Sequence, residues 1–145
     1  MSSTEMPIGL ALVLCDTIIE DKTSGKKSLI GLFGQIQTPK IPCVHQSMML
    51  LVSLTGGKGN YPCKIVCEHP DLPAPVFSIS CTVKMDNPFQ VLDLIFKIKS
   101  IRFPLASQYW IRVFIDEVPL MMRPISIIKT GKQTEIDDDS DSNES

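Results

Sequence analysis

Two short stretches bring together side chains that could bind a metal or attack an electrophile: C-V-H, with Cys43 and His45, and C-K-I-V-C-E-H, with Cys63, Cys67 and His69. Alternate residues of an extended strand share a face, so each stretch could offer sulfur and nitrogen donors of the kind zinc uses. Structural zinc sites, however, usually take their ligands from C-x2-C turns that wrap the chain around the ion, and neither stretch has that spacing. Cys63 and Cys67 also sit among apolar neighbours, where a free thiol behaves as a small hydrophobe. A cysteine nucleophile would need a base and an electropositive, open setting, and the chain offers only two histidines. No G-x-S-x-G elbow is present. One enzymatic reading is left, a small metal- or thiol-dependent enzyme using Cys43, His45, Cys67 and His69.

The stretch T-S-G-K-K-S-L-I-G-L-F-G (Thr23 to Gly34) resembles a phosphate loop at first sight. Such a loop needs Gly, four residues, then Gly-Lys and directly Ser or Thr, feeding a helix whose N-terminal N–H groups face the phosphate. Here the first position is Glu20, Lys27 follows Lys26, and the chain continues as S-L-I-G-L-F, a strand pattern. The spacing predicts a solvated hairpin turn. Asp16, Glu20 and Asp21 flank it with no second carboxylate to form an acid pair. Asp16, at the end of an apolar run, is expected to be a turn or cap carboxylate accepting backbone N–H bonds.

These residues must be held by a chain of 145 residues, enough for one domain with its own core. Five cysteines form an odd set, and the apolar run Ile8 to Cys15 follows M-S-S-T-E-M-P, which has no Lys or Arg, with Leu14 where a cleavage site wants a small residue. The expectation is a cytoplasmic protein with free thiols and no association with membranes, since no run approaches the roughly 20 apolar residues of a spanning helix.

Net charge is -2. Six acids and no base fall in E-I-D-D-D-S-D-S-N-E-S (Glu135 to Ser145), leaving 14 basic against 10 acidic side chains elsewhere. With one apolar residue, Ile136, that stretch cannot offset its ordering entropy, so residues 131–145 are expected to be a disordered acidic tail and residues 1–7 a flexible lead-in. The few surplus positive charges are scattered along the chain, and the tail would compete with phosphates, which argues against nucleic acid as a partner.

Along residues 8–130, apolar side chains recur at every second position in short runs broken by Gly, Pro, Asn and Asp. Ile8 to Ile19 and S-L-I-G-L-F-G-Q-I read as a hairpin. H-Q-S-M-M-L-L-V-S-L (His45 to Leu54) is nearly continuously apolar and suits a central strand. Cys63, Ile65 and Cys67 should share an inward face, as should Phe77, Ile79, Cys81, Val83 and Met85, and Leu92, Leu94, Phe96 and Ile98. In Q-Y-W-I-R-V-F-I, Ile111, Val113 and Ile115 form one face and Trp110, Arg112 and Phe114 the other, which puts two large aromatics on the nominally wet side. About eight such strands predict an all-β, single-domain antiparallel β-sandwich of the immunoglobulin-like kind.

Two resemblances bear on this. S-Q-Y-W-I-R-V-F-I-D-E-V-P-L-M-M-R-P-I-S-I is similar to the closing hairpin of many immunoglobulin-like domains, which implies a corner role for Tyr109. L-C-D-T-I-I-E-D-K-T-S-G-K-K-S-L-I-G-L-F-G-Q-I and P-C-V-H-Q-S-M-M-L-L-V-S-L-T-G-G-K-G-N-Y-P resemble the first half of a family of small uncharacterised bacterial proteins predicted to be β-sandwiches. Asp16, Leu29 to Phe33 and Gly57 to Pro62 carry that likeness, which spans about residues 10 to 128. It implies a fold and no chemistry. The functional expectation is a non-catalytic protein-binding or assembly module without a cofactor, which meets its partner through sheet edges or the Trp110, Arg112, Phe114 face.

Overall fold

The computed structural model describes residues 5–131, which form nine strands in two sheets. In chain order these are β1 (Ile8–Glu20), β2 (Lys27–Leu32), β3 (Gln35–Thr38), β4 (Cys43–Thr55), β5 (Gly59–Glu68), β6 (Phe77–Met85), β7 (Leu92–Phe103), β8 (Gln108–Ile115) and β9 (Val118–Lys129). The four-stranded sheet runs β2-β1-β4-β7 and the five-stranded sheet β3-β9-β8-β5-β6. The sequence proposed for the acidic tail lies beyond the described residues, apart from Gly131, which packs closely on Pro39. Of the N-terminal stretch, residues 5–7 are described: Pro7 is buried.

Period-two alternation decides which side chains meet. Leu14, Met48, Leu50, Val52 and Leu54 from the first sheet share one core with Cys63, Ile65, Cys67, Val113 and Ile115 from the second, all at most 3 % exposed. Burying each such aliphatic side chain is worth about 1.5–3 kcal/mol, so this shared interior dominates the stability. β4 is central, between β1 and β7, and the inward rows expected for β5, β6, β7 and β8 all belong to the core or pack against it.

Two expectations need correcting. S-L-I-G-L-F-G-Q-I is two strands: β2 pairs with β1, then the chain crosses at Phe33 and Gly34 so that β3 joins the other sheet. β3 runs parallel to β9, with Gln35 beside Ser126 and Thr38 beside Lys129, so the strand pairing is not wholly antiparallel. The crossing is fixed from both sides, since Phe33 N–H donates to Leu14 O (3.2 Å) and Ser126 N–H to Gly34 O (3.0 Å).

The inward row expected for β7 holds as far as Ile98 and then changes face. Ser100 has φ of 54°, and the inward row shifts there from Leu94, Phe96 and Ile98 to Ile101 and Phe103. A residue in the left-handed region turns the next side chain to the opposite face. β4 pairs with β7 in constant register through this point, so Cys43 and His45 follow Phe103 and Ile101 inward at that end.

Both tyrosines fasten a loop to the core. The Tyr61 hydroxyl accepts from Lys58 N–H (2.8 Å) and lies 3.0 Å from the carbonyls of Lys58 and Glu5, holding the turn before β5 against the N-terminal stretch. Tyr109, fully buried, packs edge-on against Phe103 and accepts from Leu105 N–H while donating to Leu105 O, both at 2.9 Å. This is the tie a corner tyrosine makes. Replacing Tyr109 with Phe removes one oxygen and leaves both backbone groups of Leu105 without a partner. The expected loss, read from urea midpoints with an unchanged circular-dichroism spectrum, is about 1–3 kcal/mol; a loss under about 0.5 kcal/mol would show that the tie contributes nothing.

Candidate functional site

β8 lies between β5 and β9, so its outward residues stand in the middle of the five-stranded sheet's exposed face. Trp110 is flanked by Glu68 and Pro124, Arg112 by Val66 and Met122, and Phe114 by Lys64 and Pro119. All three side chains are half-buried. The Arg112 guanidinium lies over the Phe114 ring, 5.3 Å from its centre, and its Nη1 donates to Glu68 Oε2 at 3.3 Å. Neither contact is strong. An exposed cation–ring contact is worth about 0.5–1 kcal/mol and a solvent-exposed ion pair about 0–1, and here the two side chains are 36 % and 39 % exposed. The Arg112 Nε is buried and has no hydrogen-bond partner.

Three depressions meet around these residues. The largest, about 650 Å³, is walled by Pro62, Lys64, Val66, Pro75, Ser80 and Phe114. A second of about 380 Å³ lies between Trp110, Leu72, Pro70 and Met122, and a third of about 240 Å³ between Arg112, Pro119 and Met121. Glu68 borders the first and second, Arg112 the second and third. Trp and Arg beside shallow apolar hollows are the side chains that anchor protein partners.

The cysteines and histidines are arranged differently from a metal centre. Cys43 and Cys67 both approach Tyr109, whose hydroxyl pKa is raised chiefly by burial, with smaller contributions from the two thiols and an opposing one from its bond to Leu105. His69 packs edge-on against the same ring at 5.3 Å. Both of its nitrogens are engaged: Nδ1 accepts from Asp71 N–H (3.0 Å), which leaves Nε2 to carry the proton and donate to Ser107 Oγ (2.8 Å). His45 points elsewhere, its ring 5.8 Å from Phe33 and its buried Nε2 without a partner. Among the described residues, no three His, Cys, Asp or Glu side chains gather so as to hold a metal ion.

The hairpin turn and the cysteine pairing supply details that spacing had not. Asp21 Oδ1 accepts from Thr23 N–H (2.8 Å) and Ser24 N–H (2.9 Å), and these two bonds hold its carboxyl below the usual range. The N–H groups a phosphate would need are therefore already taken. Asp16 is not the capping residue: it stands within β1 opposite Gly31, at φ of 76°, where a Cβ would collide with the Asp16 carboxylate. Cys63 and Cys81 are direct cross-strand neighbours, a pairing that depends on the β5–β6 register and leaves no mark in residue spacing.

Burial pushes the Cys67 thiol up to about 12 from its ordinary 9.0, assisted by the Glu68 charge. Burial also raises Cys63, with Cys81 beside it. Nucleophilic thiols need the opposite shift. Because the folded state favours the neutral thiol, the stabilisation from Cys67 is complete below pH 9.0 and is lost as pH rises toward about 12, where the unfolded chain ionises first. Cys67→Val should therefore flatten the alkaline fall in stability, by up to about 1.4 kcal/mol per pH unit in urea midpoints followed upward from pH 9. An identical slope in the two proteins would contradict the buried neutral thiol.

No curated protein matches the chain. Residues 10–128, which run from within β1 into β9 and so include both sheets and the Trp110, Arg112, Phe114 row, match the family of unknown function DUF6941, and the chain belongs to that family.

Proposed function

We propose that this chain is a non-catalytic protein-binding module built on an immunoglobulin-like sandwich and working in the cytoplasm, with the Trp110, Arg112, Phe114 face as its partner surface. The observation that carries the reading is the state of Arg112. Its guanidinium is half-exposed, rests on Phe114, holds Glu68 through one long bond and keeps a buried Nε unpaired where two depressions meet. Such a group is prepared to exchange a weak internal contact for a carboxylate or carbonyl of a partner, at a cost of about 1 kcal/mol or less. Trp110 and Phe114 on either side supply apolar area beside it.

The immunoglobulin-like assignment is supported by strand order and by Tyr109. Neighbours β9-β8-β5 in one sheet and β4-β7 in the other follow the succession of such domains, and the buried tyrosine at the start of β8 ties back to Leu105. A reducing compartment is supported by five free thiols, two of them facing each other at Cys63 and Cys81.

The test is a cross-linked pull-down from the source cell using the full chain and its Trp110→Ser, Phe114→Ser double variant. A partner captured by the first and lost by the second, with an unchanged β circular-dichroism spectrum, is the expected result. Equal capture by both proteins would contradict this face as the binding surface.

A further inference from the structure

Of the five free thiols, Cys63 and Cys81 face each other directly across two paired strands. β5 and β6 run antiparallel in unbroken register from Gly59 opposite Met85 to Cys67 opposite Phe77, and this pairing sets Cys63 opposite Cys81. Directly opposed residues of an antiparallel pair point to the same face, with Cα atoms about 4.5–5.5 Å apart. That spacing lies inside the roughly 4.4–6.8 Å a disulfide spans, so the two sulfurs can join without a change of register. Both side chains are on the inward face, Cys63 within the core cluster and Cys81 packed against it. Their access differs. Cys63 is 3 % exposed, whereas Cys81 is half-buried on β6, an edge strand paired only with β5.

We propose that Cys63 and Cys81 are a reversible redox switch, in which a low-molecular-weight disulfide oxidises the pair to a cross-strand bond that locks the walls of the hollows beside Trp110 and Phe114. The Cys81 thiolate attacks one sulfur of the small disulfide, breaking its S–S bond, expelling one small thiolate and leaving Cys81 as a mixed disulfide. Cys63 then gives up its proton and attacks the Cys81 sulfur, expelling the second small thiolate. Each expelled thiolate takes up the proton its attacker lost. Two protein thiols are oxidised, one small disulfide is reduced to two thiols, and the chain loses two hydrogens. Burial, and after it the neighbouring Cys81, keeps the proton on Cys63, which makes the second attack the slower one. Excess small thiol runs the exchange backwards.

The consequence of the bond follows from what it encloses. The covalent loop 63–81 contains the second half of β5, the connector and the first half of β6. Within it, Lys64, Val66, Pro75 and Ser80 wall the largest depression, and Pro70 and Leu72 the one beside Trp110. The connector is held by a few backbone bonds, among them Val76 N–H to Cys67 O (2.8 Å) and Leu72 N–H to His69 O (3.0 Å). Because β6 has a single neighbour, its opening carries Ser80 and Pro75 away from Lys64 and Val66. A covalent bond to β5 removes that motion. The consequence for binding rests on the partner reading above, whereas the bond and its effect on the chain are measured without a partner.

The reduced full chain is incubated with excess oxidised glutathione at mildly alkaline pH, where an unburied thiol is about half ionised. Mass spectrometry should show the loss of two hydrogens, and peptide mapping should join the segments that carry Cys63 and Cys81. Amide exchange in β6 and residues 69–76 should slow at least about tenfold, recover on adding dithiothreitol, and stay unchanged in the edge strand β2. The Cys81→Ser variant, treated alike, should show neither the bond nor the slowing. The bond itself is read on the unaltered chain and so does not depend on how the variant folds. A chain that keeps all five thiols, stops at a glutathione adduct or links another pair overturns the switch. So does a Cys63–Cys81 bond that leaves exchange in β6 and residues 69–76 as it was.

Discussion

Everything in this molecule follows from one shared interior, in which the inward rows of two sheets cover each other. Leu14, Leu50 and Val52 on one side and Ile65, Val113 and Ile115 on the other are removed from water together, and neither sheet could bury its row alone. Strand geometry then makes the outer faces a necessary by-product, because each inward residue fixes its two neighbours outward. Where the row must turn, Ser100 takes a left-handed conformation and moves Phe103 under Tyr109, closing the end of the core.

The two outer faces obtained this way differ in chemistry. On the five-stranded sheet, Trp110, Arg112 and Phe114 stand among prolines and a methionine around shallow hollows, with a charge held by weak contacts. On the four-stranded sheet the surface is aliphatic, and its charges are confined to β7. Cys67 and His69 are spent on packing and hydrogen bonding around Tyr109.

Much of this was legible in the residues, and what was not has identifiable causes. Alternation in β5, β6 and β8 is local, so the inward faces and the outward Trp110 row could be read directly. The separation of β2 from β3 could not, because S-L-I-G-L-F-G-Q-I is uniformly β-competent and only long-range partners, Ser126 above all, decide that the chain changes sheets. Asp16 and Asp21 have similar local prospects as turn residues, and the β1–β2 register gives the role to Asp21. The apolar outer face of β1 and β4 was missed for a different reason: a continuous apolar run reads as a strand covered on both sides, and periodicity is silent about what, if anything, lies on the second side.

The central claim, two sheets closed on one core with their outer faces uncovered among the described residues, is tested most directly by residue-resolved amide hydrogen exchange on the full chain. Interior strands β4, β5 and β8, bonded on both edges and packed on the core, should exchange slowest, and the edge strands β2, β3, β6 and β7 fastest. Slow exchange concentrated in β2 and β3, or uniform protection that ignores strand position, would contradict the account.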